Sequence, residues 1–375
     1  MLLPINSSSH SLILCKHPVK LQSRLARQHP GTLSRQWRHG MIGFIIRRVL
    51  AMIPVLFLVA LITFFMMKQA KGGPFDQEKE VAPSTIALLN RKFGLDKPAW
   101  LNSAEFSNRL STEGNPFLAL RGLFDSQFGN YLINAVQGDL GPTYASKGTE
   151  TVQDKIKETF PISLRLGMIS LAFALLVGFP LGILGALRQN TIFDYFSLII
   201  STIGFSVPTF VTGLLLLLVM SKVFDVAPIK DPSVWQGFST SYIPPAIILG
   251  LGTMAYITRL TRSSVLEVKR QDYIRTARAK GLGDRVVILR HILRNSLIPV
   301  ITILGPAVAG LVTGSFIIES VFRVPGIGSE FIGAIGSRDY SMIMGSTLFF
   351  SLLVALGNIM VDLSYGLIDP RIRNS

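Results

Sequence analysis

The sequence predicts an all-α polytopic membrane protein with six transmembrane helices and one large polar lobe. Three observations predict it. Mean hydropathy is +0.45. Only 16% of the 375 residues are charged, where a soluble domain usually carries about a quarter. Apolar runs long enough to cross about 30 Å of hydrocarbon recur along the chain. The formal net charge of +15 would suit a nucleic-acid binder, but Lys and Arg collect at the ends of the apolar runs, as membrane topology requires. The expected surroundings are therefore a lipid bilayer, and no nucleic acid. The single Cys15 excludes an internal disulfide and a multi-cysteine metal site. The five His form no ligand set, since four lie in the first 40 residues. No metal and no cofactor are expected.

Residues 1–40 carry six Lys or Arg and no acid. Three readings fit: a disordered basic tail, an organellar targeting peptide of similar composition, or a stretch preceding a natural start at Met41. The segment is read as a basic extension, without structure and without chemistry. The first span covers about residues 49–67, within a first helical segment 41–67. Arg47 and Arg48 at its leading end place that end in the cytoplasm.

Residues 68–159 form a long polar connection, read as an extracytoplasmic lobe. Its charges balance at eleven of each sign, and long loops translocate largely regardless of charge. Trp100, Phe106, Phe117, Phe124, Phe128 and Tyr131 offer material for a small core of its own. T-V-Q-D-K-I-K-E-T-F (151–160) reads as a short surface helix leading to the next span.

The remaining residues, 160–375, hold five more spans, at about 166–187, 195–220, 242–258, 297–318 and 343–363. The third contains G-F-S-V-P-T-F (204–210). A mid-span proline frees a backbone carbonyl that a neighbour or a polar cavity must satisfy. Ser206 and Pro208 are accordingly either a packing kink or part of a pathway wall. Glu319, Pro325 and Gly326 lie in E-S-V-F-R-V-P-G-I-G (319–328), where Glu319 either holds the turn or lines an outer gate.

Between the fourth and fifth spans, residues 259–294 carry ten Lys or Arg against three acids, while residues 319–339 carry two against three. The positive-inside rule then puts both termini and this central segment in the cytoplasm. Within the segment (263–296), two amphipathic helices are expected, broken at Gly281-Leu282-Gly283. Asp284 is a plausible N-cap for the second, and Val286, Leu289 and Leu293 recur at helical spacing as its apolar face. Ala277 and Gly281 suggest a small-residue surface that a partner could approach. An interfacial helix on anionic lipid is the plainer alternative.

R-T-A-R-A-K-G-L (275–282), followed by R-H-I-L-R-N-S-L-I-P (290–299), resembles the cytoplasmic signature loop of ABC importer permeases, and most closely the B-type subunit of the dipeptide, oligopeptide and nickel uptake family. Further matches keep the family's order: F-G-L-D-K-P, G-D-L-G, G-x-S-x-P-x-F, L-E-V, E-x-V-F-x-x-P-G-I-G, R-D-Y, D-L-x-Y and D-P-R-I-R. Each alone is unspecific; the ordered set spans residues 41–375. Residues 1–40 fall outside the pattern, and the loop between positions 98 and 138 is longer than usual.

The resemblance implies a type I importer transmembrane architecture in a bacterial inner membrane. It implies a non-catalytic permease subunit that forms half of a pathway with a second homologous permease. Two cytoplasmic ABC ATPases would dock on the signature loops, here Arg275, Thr276, Ala277, Gly281, Leu282 and His291, and an extracytoplasmic solute-binding protein would deliver the substrate, peptides by this likeness or nickel or another small solute. The chain has no G-x-x-x-x-G-K-[ST] phosphate loop. An ion-gradient-driven transporter would favour paired midplane charges and internal repeats, which are not evident. A membrane-anchored enzyme would need a ligand set or nucleophile motif in the lobe, which has none.

Overall fold

The computed structural model describes residues 30–70, 72–75, 83–113, 116–223, 231–313 and 316–368. The chain divides into two compact units, Met1–Ile53 and Pro54–Ser375. In the first, the described residues are helical from Pro30 onward. Residues 30–40, expected to lack structure, thus belong to a helix, and Pro30 suits its opening because a first-turn proline loses no intrahelical bond. Residues 1–29 and the terminal D-P-R-I-R lie outside the described residues.

Helix α1 (Pro30–Gln69) contains Pro54, and its stretch Ile45–Gln69 is long and apolar enough to cross a membrane. Four short helices follow: α2 (Pro83–Lys92), α3 (Ser103–Glu113), α4 (Pro116–Leu123) and α5 (Gln127–Val136). Among the described residues, the aromatics of the lobe divide: Phe75, Phe93 and Tyr144 cluster within the connection, while others, expected in a lobe core, reach α1. Phe128 and Trp100 pack on Phe64 of α1, with ring centroids 5.1 and 5.0 Å away, while Phe124 is exposed. Met344 joins the same cluster. Isolated helices of about ten residues are marginal, and here α5 and the bend before α3 lean on α1 through Phe128 and Trp100.

Helix α6 (Val152–Leu187) merges the expected surface helix with the second span. Thr151 caps it, accepting the Asp154 amide at 3.3 Å. Val152 and Ile156 are buried against Ile327, Met342 and Phe350, so this turn is not a surface element. Its other half crosses α9 (Ile243–Lys269) closely. A Cβ on Gly178 or Gly182 would meet the carbonyls of Met254 or Thr258 at 2.7 and 2.6 Å. Thr258 Oγ1 donates across this crossing to the Gly178 carbonyl at 3.1 Å. Small residues allow such approach in lipid, where apolar burial does not drive helices together.

The expected third span is two helices, α7 (Ile192–Ser206) and α8 (Thr209–Lys222), bent by 104°. Val207 is extended there (φ −87°, ψ 124°). The ring of Pro208 disfavours helical backbone at the preceding residue, which ends α7. Among the described residues, five helices are long and apolar enough to span, and six only when this bent pair counts as one.

After α9 comes α10 (Asp272–Ala279), then α11, residues Asp284–Val312. The helix that carries the fifth span therefore starts well before position 297 and ends at Val312, running on through Pro299 and Pro306. Helices α12 (Phe316–Phe322), α13 (Ile327–Ser337) and α14 (Tyr340–Ile368) complete the described fold. Large apolar side chains such as Leu58, Leu176, Ile199, Leu218 and Met360 are exposed. Such a surface is unfavourable in water and suits lipid.

Candidate functional site

Three places hold the predicted residues, one at each end of α6 and one at the α7–α8 bend.

At the C-terminal end, α10 and the start of α11 form a hairpin on the ends of α6 and α9. Ile274 and Ala277, three apart on α10, point inward. They pack with Ala186 of α6, Val265 of α9, and Val287 and Ile292 of α11. Ala277 is thus part of the hairpin's own core, not a surface for a partner. Arg275 and Thr276 face outward; Arg275 lies 3.7 Å from Asp272, and Thr276 Oγ1 donates to the Asp272 carbonyl at 3.1 Å.

Gly281 ends α10. Its φ is +79°, its amide donates to the Arg278 carbonyl at 2.9 Å, and the Leu282 amide donates to Ala277 at 3.3 Å. This is a Schellman ending, in which glycine takes the left-handed position without a Cβ penalty. Nothing lies within 4 Å of a Cβ built there. Gly283, not Asp284, is the N-cap of α11. Asp284 sits one position later, where a carboxylate still complements the helix dipole, and lies 3.6 Å from Arg278.

Residues 287–293 are π-helical. Bonding from i to i+5 brings residues five apart onto one face. Val287 and Ile292 are therefore the fully buried pair, while Val286 and Leu289 are exposed. The face expected from 3.6-residue spacing is out of phase for this reason. His291 is half-buried, and its carbonyl accepts Asn295 Nδ2 at 3.0 Å. The outer surface of the hairpin combines Arg275, Arg278 and Arg285 with exposed Leu282, Val286 and Leu289.

At the N-terminal end of α6, Glu319 is fully buried. Its Oε2 accepts the amides of Gly328 at 2.8 Å and Ser329 at 3.2 Å. The Ile327 amide donates to Ser163 Oγ of α6 at 3.0 Å. A side-chain oxygen from each of two neighbouring elements thus satisfies the first amides of α13, which a helix leaves unpaired. Gly326 is its N-cap, and Pro325 half-buries beside it. Glu319 Oε1 is buried without a hydrogen-bond partner. Burial pushes the Glu319 carboxyl up to about 7, against the opposing pull of hydrogen bonds from Ser163, Ser329 and Gly328. Ser206 and Pro208 belong to a third place, the α7–α8 bend, where both are exposed.

The R-D-Y motif fastens the long connection between α1 and α6. Asp339 is buried; its Oδ1 accepts the Met342 amide at 3.0 Å and its Oδ2 the Ala145 amide at 2.9 Å. Tyr340 donates to the Gly72 carbonyl at 2.9 Å.

Residue-by-residue reading missed Ser163, and also a part-buried ion pair between Asp194 and Arg262. Asp194 had a signal: a lone acid inside the apolar run I-F-D-Y-F-S-L-I-I.

Two family models match. One, described as the binding-protein-dependent transport system inner membrane component, covers residues 178–374; its N-terminal companion covers 41–117. The chain belongs to this family of binding-protein-dependent transport permeases. The dipeptide transport system permease protein DppB of Bacillus subtilis is 37% identical over 336 residues, 89% of this chain and 98% of that protein. The oligopeptide transport system permease protein OppB of Haemophilus influenzae is 37% identical over 334 residues, 89% of this chain and all of that protein. Among solved structures, an amino acid ABC transporter is 12% identical, with a TM-score of 0.48 over 58% of this chain and 95% of that one. The permease is accordingly an inner-membrane, non-catalytic subunit of an importer that also employs a binding protein and ATPases.

Proposed function

We propose that this permease imports peptides, forming half of a translocation pathway with a second homologous permease and receiving one of two cytoplasmic ATPases on the α10–α11 hairpin. The observation that carries the docking is the hairpin itself: a small rigid core beneath an exposed surface that mixes arginines with Leu282, Val286 and Leu289. An interfacial helix on lipid would also mix arginines with apolar residues; membership of the binding-protein-dependent transport family, whose importers work with ATPases, favours docking. Peptide cargo is supported by the dipeptide and oligopeptide permeases that cover nearly the whole chain. In this reading the hairpin and both termini are cytoplasmic. Residues 68–159 face the binding protein, and ATP-driven closure of the ATPase pair moves the hairpins and switches access to the pathway.

The test is ATP-driven uptake of a labelled peptide in proteoliposomes containing the full complex. Gly281→Trp and Leu289→Asp should insert normally yet lose ATPase co-purification or uptake. Wild-type uptake in both would remove the hairpin as the docking site.

A further inference from the structure

Asp194, in the first turn of α7, and Arg262, on α9, form an ion pair that nothing above assigns. Nε of Arg262 donates to Oδ1 at 2.6 Å and Nη2 to Oδ2 at 2.9 Å. The side chains are 3% and 21% exposed. Asp194 Oδ2 also accepts the Asn190 amide at 3.0 Å, which ties the pair to the turn joining α6 to α7.

Position gives the pair its meaning. Ala186 and Leu187, at the end of α6, belong to the hairpin core, and α7 begins only a few residues later. On α9, Val265 and Leu266 enter the same core within one turn of Arg262. The hairpin, the end of α6, the start of α7 and α9 are therefore joined at one place by an apolar core and, beside it, an ionic fork. Past α7 lies the 104° bend into α8.

Energetics argue against stability as the pair's purpose. Removing two charges from water is costly, and well-packed apolar residues of similar volume often serve stability as well or better. A bidentate guanidinium–carboxylate fork instead fixes one register, because its two parallel bonds align only one way. A Lys, a point charge, would not fix it.

We propose that Asp194 and Arg262 are positioning residues for transport: the fork holds the start of the bent α7–α8 segment in register with the hairpin, so that a displacement of the hairpin is passed to that segment. This rests on the hairpin being the ATPase docking site.

The experiment uses the reconstituted complex and reads ATP hydrolysed per peptide imported, alongside assembly by co-purification. Asp194→Leu combined with Arg262→Met should assemble and hydrolyse ATP but raise that ratio about tenfold, within the range that residues lying between coupled sites can command. Arg262→Lys, which keeps the charge and loses the fork, should raise it less. The exchange Asp194→Arg with Arg262→Asp should recover part of the loss. An apolar pair with the wild-type ratio would overturn the inference. If that pair does not assemble, a wild-type ratio in Arg262→Lys and Asp194→Asn would overturn it equally. Leu289→Asp separates the two readings. If it keeps full ATPase binding, the docking reading falls; if it abolishes binding while the Asp194 and Arg262 variants stay coupled, only the positioning role falls.

Discussion

The two ends of α6 handle buried charge in opposite ways. At the N-terminal end, only Oε2 of the Glu319 carboxylate is paired, with backbone amides of α13, and the Ser163 hydroxyl accepts the next amide. At the C-terminal end, the Asp194 carboxylate is satisfied mainly by another side chain, and the elements around it present an exposed basic hairpin. The first arrangement closes a turn into a fixed shape that no mobile side chain can leave. The second keeps two elements in register through a contact that can be exchanged as a unit. The difference teaches that the Glu-to-Gly-Ile-Gly motif is a construction device, while the hairpin is a surface.

The largest effect that would break this comparison is Glu319→Ala. It leaves one buried and one part-buried amide unpaired, each costing up to about 1–3 kcal/mol, so the thermal midpoint of the detergent-purified protein should fall well below that of wild type. An unchanged midpoint would mean the turn does not depend on its carboxylate.

Next in size is Gly326→Ala, whose Cβ would land on Ser163 Oγ and Glu319 Oε2. Overpacking of this kind costs about 1–3 kcal/mol. At the other end, Gly281→Ala meets no atom but must hold φ at +79°, a strain of about 1–2 kcal/mol. Thermal scans of the two side by side should rank Gly326→Ala as the worse.

Glu319→Gln sharpens the comparison through pH. The folded carboxyl titrates near 7 rather than at 4.5, so the folded state holds the proton more tightly than the unfolded chain. That contribution is complete below about 4.5 and disappears as pH rises through about 7. Wild-type thermal stability should decline across that window, and the Gln variant should lack this component of the decline.

Ser163→Ala removes one acceptor and should cost about 1 kcal/mol. Smallest of all, Arg275→Ala on the exposed hairpin should stay within about 0.5 kcal/mol of wild type, while ATPase co-purification weakens. A large stability loss there would show the hairpin surface to be structural.

Much of this was legible beforehand. The glycines at 281 and 283 announced the break between α10 and α11, Pro208 announced a disturbance in the third apolar run, and the ordered motifs announced the family. The hairpin's inner face was poorly legible: Ala277 was expected on a partner-facing surface but is buried with Ile274, and the π-turn moved the buried positions of α11 to Val287 and Ile292. No residue in V-I-L-R-H-I-L marks a π-helix by itself. The lobe aromatics were visible, but not that they would pack on Phe64.

The sequence alone determined what depends on a few neighbouring residues: which runs suit hydrocarbon, where glycine and proline interrupt helices, and which segment is basic. The tertiary structure decided which buried polar groups meet. Ser163 and Ile327 lie 164 positions apart, and Asp194 and Arg262 lie 68 apart. Period, capping and propensity act over a turn or two of chain. The partner of a buried carboxylate is set by which helices cross, and in lipid those crossings follow from close backbone contact at small residues such as Gly178 and Gly182.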